Sequence, residues 1–172
     1  MIKMVRTILK LGSPELQRKS TPVENFDKQL CNLAQDMLET MYAAPGIGLA
    51  APQVGINTRL LVVDITSGEE TGHQIVLANP EIIQQEGVER GEEGCLSIPG
   101  FTAIVERPKK IMIIGRDVQG DSVEVMAEDL LARALCHEVD HLDGTLYLDR
   151  ISLIKRDLIK RKIQKLVRSG EW

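Results

Sequence analysis

ALCHEVDHLDG, residues Ala134–Gly144, contains the pattern H-E-x-x-H: two histidines one helical turn apart, with a glutamate between them. At about 100° per residue, Leu130, Ala134, His137 and His141 share one narrow helix face, and Glu138 lies beside it. A helix over about residues 128–143, closed by Gly144 in the C′ position, therefore aims two imidazoles and a carboxylate at one point above a small apolar floor. Imidazoles at this spacing reach a single ion, and imidazole suits Zn, Fe, Ni and Co. Glu138 is expected to act as a general base toward the water that such a metal activates. Two histidines do not hold a catalytic metal alone. Zinc peptidases of the H-E-x-x-H-x-x-G-x-x-H kind place a third histidine in the next turn, but here Gly144 is followed in that register by Tyr147.

The third ligand must therefore come from elsewhere. His73 sits in the polar, turn-like SGEETGHQ and reads as a surface residue. Cys31, inside the helical KQLCNLAQ, reads as a small packing residue. Cys136 adjoins His137, but neighbours on a helix point about 100° apart, so it belongs to the core. Spacing alone leaves Asp143, Asp149 and Asp157 open. Cys95, in GEEGCLSIPG, is the favoured candidate, because glycines before it and a proline after it mark irregular backbone able to approach a ligand closely. A thiolate with two imidazoles makes a three-ligand site with a fourth position left for water, the arrangement of catalytic rather than structural metal sites.

Outward from this helix the chain reads as one α+β domain spanning residues 1–172. Ser13 and Pro14 open a short helix. Leu30, Leu33, Met37 and Met41 recur at helical spacing between Phe26 and Ala43, predicting an amphipathic N-terminal helix. APGIGLAAPQVGI, residues 44–56, breaks that period with glycines and prolines and reads as an unusually apolar loop. RLLVVDI, QIVLANP, EIIQQEGVER, TAIVERP and KIMIIGRD read as short mixed or antiparallel strands, and DVQGDSVEVM as a turn feeding one more. These strands pack around the central metal helix, and a final amphipathic helix covers about residues 151–168.

The net charge of −4 is uneven. Residues 151–168 carry seven Lys or Arg against one acid, Asp157. A basic tail on an acidic body suggests an anionic partner for the tail. The longest apolar runs, LLVV and IMII, are far short of a membrane span. The N-terminus has no sustained apolar run or small-residue cleavage site, and three cysteines make a disulfide framework unexpected. A cytoplasmic protein is the expectation.

Three segments together carry a family resemblance. GIGLAAPQVG (Gly46–Gly55), EGCLSIPG (Glu93–Gly100) and HEVDHLDG (His137–Gly144) resemble, in order and spacing, the three signature motifs of peptide deformylases. The resemblance extends over the whole chain and implies that family's fold. It implies Cys95, His137 and His141 as ligands of one divalent metal: Fe²⁺ in the cell, with Zn²⁺, Ni²⁺ or Co²⁺ also accepted. It implies Glu138 as catalytic acid and base, with Gln53 (side-chain amide) and Leu96 (backbone N–H) as oxyanion donors. Gly48 is implied in main-chain contact with substrate. The implied reaction removes formyl from N-formylmethionyl nascent chains, releasing formate. The basic tail resembles the C-terminal helix that docks bacterial deformylases on the ribosome, and a monomer is the family's expectation. One departure is Cys136, where many members have Gln before the metal histidine.

Physically, the main chain of Gly46, Ile47 and Gly48 suits pairing with an extended peptide. Ile47, Leu49 and the Leu130/Ala134 helix face suit a methionine pocket or, equally, plain core. Two other readings compete: an H-E-x-x-H metallopeptidase of other specificity, which leaves Cys95 and Gln53 without a role, and a metal-stapled binding module, which leaves Glu138 without one.

Overall fold

The computed structural model describes residues 4–172. Its order is α1 (Lys28–Ala43), β1 (Gly48–Ala50), β2 (Leu60–Val63), β3 (Ile75–Glu86), β4 (Glu89–Cys95), β5 (Ile98–Arg107), β6 (Lys110–Arg116), β7 (Ser122–Glu128), α2 (Asp129–Leu142) and α3 (Leu153–Ser169), with one single-turn 3-10 segment before α1 and two between later elements. Strands β1-β2-β3-β6-β7 form a five-stranded sheet and β4-β5 a two-stranded one. Every pairing between these strands is antiparallel, so the expected α+β layout stands, with antiparallel order throughout both sheets.

Strand β2 shows how the layers are built. LLVV is wholly buried because each face of the sheet is covered here. Leu60 and Val62 pack into a core with Met37, Leu38 and Met41 of α1, while Leu61 and Val63 pack with Ala132, Ala134 and Leu135 of α2. Alternation sends successive residues to opposite faces, so a strand between two helices reads as a continuous apolar run. Helix α1 begins where Asp27 accepts hydrogen bonds from the Gln29 and Leu30 amides at 2.9 and 3.1 Å. The turn before it, Pro14–Gln17, is one 3-10 turn; Ser13 stands at its N-cap but makes no capping hydrogen bond.

Four readings of the sequence change. The stretch taken for a loop holds β1 and a 3-10 turn, Ala51–Val54; a three-residue strand of Gly, Leu and Ala carries too little periodicity to register, and only its pairing with β2 makes it a strand. The segment around Cys95 is also more regular than expected. Cys95 ends β4, and Leu96–Ser97 form the tight turn into β5. The run EIIQQEGVER divides at Gly87, whose φ of 68° turns the chain out of the large sheet. Conversely β3 continues through Asn79–Pro80 by a bulge, since Asn79, at φ 52°, locks its side chain onto the backbone of Val23.

The N-terminal segment stitches these parts together. Leu9 donates its amide to Gln53 O at 2.7 Å, Leu11 to Ser97 O at 2.8 Å and Ser20 to Leu142 O at 2.8 Å. Beyond α2, Gly144 takes φ 73°, and a side chain there would meet the Gln17 carbonyl oxygen at 2.7 Å, so the left-handed end and the close approach both require glycine.

Candidate active site

Helix α2 lies with its histidine face toward the hairpin turn that ends β4. The ligand atoms of Cys95, His137 and His141 all fall within 4.8 Å of one another, and Cys95 Sγ is 3.3 Å from His141 Nε2. A tetrahedral ion with bonds of about 2.0–2.3 Å needs donors roughly 3.5 Å apart, so this cluster fits a divalent metal. The other ring nitrogen of His137, Nδ1, meets Glu93 Oε2 at 2.9 Å, which leaves Nε2 as its ligand atom. The acids left open by spacing lie elsewhere: Asp143 pairs with Arg59, Asp149 binds the Leu146 amide, and Asp157 stands beside Arg156.

Glu138 is buried, and burial pushes its carboxyl up to about 7 against the pull of His137. Its Oε2 has no hydrogen-bond partner among the described residues. Gly48 lies directly against this carboxylate; a Cβ there would collide with Oε1. Gln53 is held at both ends of its amide. Its Oε1 accepts from the Ala50 amide at 2.8 Å, while Nε2 donates to Ser97 Oγ at 3.2 Å and lies 3.6 Å from Cys95 Sγ.

A cleft of about 730 Å³ opens over the cluster, lined by Gly46, Ile47, Gly48, Gln53, Leu96, Leu130, Ala134, His137 and Glu138 among others. Strand β1 forms one wall and is the edge of its sheet. Ile47 O accepts from Asp64 N at 2.9 Å, on the β2 side. Antiparallel alternation then turns both backbone groups of Gly48 toward the open edge. The Gly46 amide is already given to Met41 O, so Gly46 offers the cleft its carbonyl alone. Leu49 does not reach the cleft; it is fully buried in the core beneath α1.

Several residues escaped the sequence reading. Ser97 orients Gln53, and Glu93, with Arg107 and Arg133 on its carboxylate, orients His137. Burial would raise the Glu93 carboxyl, but the hydrogen bonds and positive charge of Arg107 and His137 hold it down at about 2. Glu93 lies two residues before Cys95 in one strand, a period-two signal that could have flagged it. Tyr147, where peptidases keep a histidine, stacks on His137 at 6.3 Å and donates its hydroxyl to Phe101 O at 3.0 Å. Cys136 is buried in the core, where burial pushes its thiol up to about 11. His73 is exposed beside Glu70, and Cys31 faces Val118 O.

Residues 5–157 match the family model described as polypeptide deformylase. The chain is 48% identical over 169 residues to the peptide deformylase of Acidobacterium capsulatum, covering 98% of this chain and 99% of that one. It is 50% identical to that of Alkalilimnicola ehrlichii, covering 95% and 91%. The crystal structure of a peptide deformylase from Legionella pneumophila superposes with a TM-score of 0.90 at 43% identity, covering 96% of this chain and 97% of that one. With such similarity along nearly its whole length, and a Cys-His-His cluster built to hold a metal, the chain belongs to the peptide deformylase family, metal-dependent hydrolases that remove the formyl group from a peptide's N-terminus.

Proposed function

We propose that Cys95, His137 and His141 hold one divalent metal, and that Glu138, Gln53 and the Leu96 N–H hydrolyse the N-terminal formamide of a formylmethionyl chain. The observation that carries this reading is the convergence in one cleft of a three-donor cluster, an unpartnered buried glutamate and a pre-oriented amide. Bound there, the metal supplies Lewis acidity and brings a water's ionisation toward neutral pH.

The chain's own residues do the rest. Glu138, with its carboxyl near 7, takes a proton from the attacking water and returns it to the leaving amine. Water adds to the formyl carbon, the C–N bond breaks, and formate and a free amine leave. Gln53 Nε2 and the Leu96 N–H face the oxygen on which charge develops, and losing one such donor costs about 2.7–4 kcal/mol. The peptide lies along the edge of β1, pairing with the outward N–H and C=O of Gly48 and the carbonyl of Gly46. Ile47, Leu130 and Ala134 line the pocket for its methionine side chain.

The test compares a formyl-Met peptide with its unformylated counterpart, following formate and cleavage fragments. Formate release, lost in Glu138→Gln with metal retained, is expected; internal cleavage of the unformylated peptide would point to an H-E-x-x-H metallopeptidase of other specificity.

The finer assignments belong to the same reading. A thiolate and two imidazoles accept Fe²⁺, Zn²⁺, Ni²⁺ or Co²⁺; family resemblance supports Fe²⁺, and elemental analysis of protein prepared without air tests it. Helix α3 exposes Lys155, Lys160, Arg161, Lys162, Lys165 and Arg168 beside exposed Leu153, Ile154 and Leu158. That surface supports docking on the ribosome, whose RNA is anionic. Replacing Lys160, Arg161 and Lys162 by Gln weakens co-sedimentation with ribosomes at physiological salt if the reading holds. No helix among the described residues is long and apolar enough to cross a membrane. With formylated nascent chains as substrate, the site of action is the cytoplasm, and the working unit is a monomer of one domain, residues 1–172.

A further inference from the structure

The ring of His137 is braced from behind by a line of charges that does not end at its immediate partner. Glu93 accepts from Arg107 Nε and Nη2 at 2.7 and 2.9 Å, from Arg133 Nη1 at 2.8 Å, and meets His137 Nδ1 at 2.9 Å. Arg107 spends its remaining Nη1 on Asp140 Oδ2 at 2.6 Å. Asp140 in turn takes both donors of Arg150, Nε at 3.0 Å and Nη2 at 2.5 Å. Glu93, Arg107 and Asp140 are buried, whereas the Arg150 side chain is 49% exposed. Arg150 closes the 3-10 turn Tyr147–Arg150, two residues before Ser152, the N-cap of α3.

We propose that Arg150 is a remote positioning residue of the metal centre, acting through Asp140, Arg107 and Glu93 to fix the orientation of His137. The inference rests on the reading of His137 as a metal ligand. Its logic is charge balance in a dry place. Three carboxylates (Glu89, Glu93, Asp140) are matched by three guanidinium groups (Arg107, Arg133, Arg150). A buried ion network tolerates removal of one member poorly, because the partner left behind must find charge elsewhere. Without Arg150, Asp140 has only Arg107, and draws it away from its two-pronged grip on Glu93. Glu93 then holds the His137 ring less firmly. The half-exposed Arg150–Asp140 pair contributes little to stability by itself; its effect is conducted.

The test uses Co²⁺-loaded parent protein and the variants R150M, R150K and R59M. Arg59 is the matched control: it binds Asp143 and Leu142 O at the end of the same helix but touches no member of the chain of charges. Visible absorption and the rate at which EDTA strips Co²⁺ are read beside kcat and KM for a formyl-Met peptide. A partner that touches a ligand typically matters 10–100-fold. From three links away, R150M is expected to shift the d–d bands, release Co²⁺ about three- to tenfold faster, and lower kcat with KM unchanged. R150K falls between, R59M matches the parent, and in an E93Q background R150M adds nothing. A parent-like spectrum and release rate in R150M overturn the proposal. So does an equal effect from R59M, or a full R150M effect persisting on E93Q. A parent protein showing no thiolate-to-cobalt band overturns the ligand assignment itself, and the proposal with it.

Discussion

Replacing Gly48 by Ala tests the packing that positions Glu138. Gly48 does not use a left-handed backbone, so alanine fits the strand conformationally and the effect is purely steric. The added Cβ would stand 2.9 Å from Glu138 Cδ and 3.0 Å from Cγ. Comfortable carbon contacts lie at about 3.5–4.0 Å, so roughly 0.5–1 Å of relief is needed. The carboxylate has little room to give, being buried on a helix packed against β1. Misplacing a catalytic group by about 1 Å costs on the order of 10²-fold in rate, or about 2.7 kcal/mol of barrier. Overpacking adds about 1–3 kcal/mol of destabilisation. Formate release from a formyl-Met peptide is therefore expected to lose about 10²-fold in kcat, with metal content unchanged. Shortening the acid relieves the same clash, so G48A is expected to add little in a Glu138→Asp background. A kcat for G48A within about threefold of the parent refutes the claim that β1 is wedged against the Glu138 carboxylate.

Gln53→Leu removes a donor held in place by Ala50 and Ser97 and is expected to lower kcat by about 10²–10³ with the fold intact; Ser97→Ala, which only loosens that amide, has the smaller effect in the same assay. Burial alone would raise the Asp64 carboxyl, but hydrogen bonds from Thr66, Tyr42 and Gly68 prevail and hold it below 3.8. A depressed carboxyl contributes stability that is fully present above its unfolded pKa and lost as pH falls through the folded value. Asp64→Asn should therefore cost about 1–3 kcal/mol near neutral pH and flatten the decline in urea midpoint below about pH 4. Iodoacetamide at pH 7 should modify Cys95 once metal is stripped and leave Cys136 unlabelled, since burial holds that thiol near 11; peptide mass mapping distinguishes them, and labelling of Cys136 in folded protein contradicts the burial argument. Removal of the metal by chelator is expected to lower the Tm, because the cluster forms only in the folded chain.

The parts legible in sequence are those with a strong local period. The α1 stripe, the α2 histidine face and the paired apolar runs all appear in place, because helical and strand periodicities are set by neighbours in the chain. Cys95 was reachable by elimination and by motif resemblance. What stayed hidden depends on contacts between distant segments. Strand β1 exists only through its pairing with β2, and the tight turn at Leu96–Ser97 only through the β4–β5 register. The bracing of His137 joins residues 93, 107, 140 and 150 from four elements, and no local pattern in any one of them announces it. The fate of Leu49 shows the same limit: an apolar residue beside a cleft and one beneath it look alike in sequence.

The stitching of residues 9–20 bears on how the enzyme is made. This segment precedes its three partners in the chain, and they, Gln53, Ser97 and Leu142, are widely spread, one in each signature segment. Closing chain loops of such different lengths differs by only about 1 kcal/mol between the shortest and the longest, since the entropy grows with the logarithm of length. Loop length therefore gives none of the three closures a decisive advantage over the others, and the third needs the end of α2 in place. Because one short segment spans all three parts of the site, the amide protons of Leu9, Leu11 and Ser20 are expected to exchange with solvent together, as one clock for its opening.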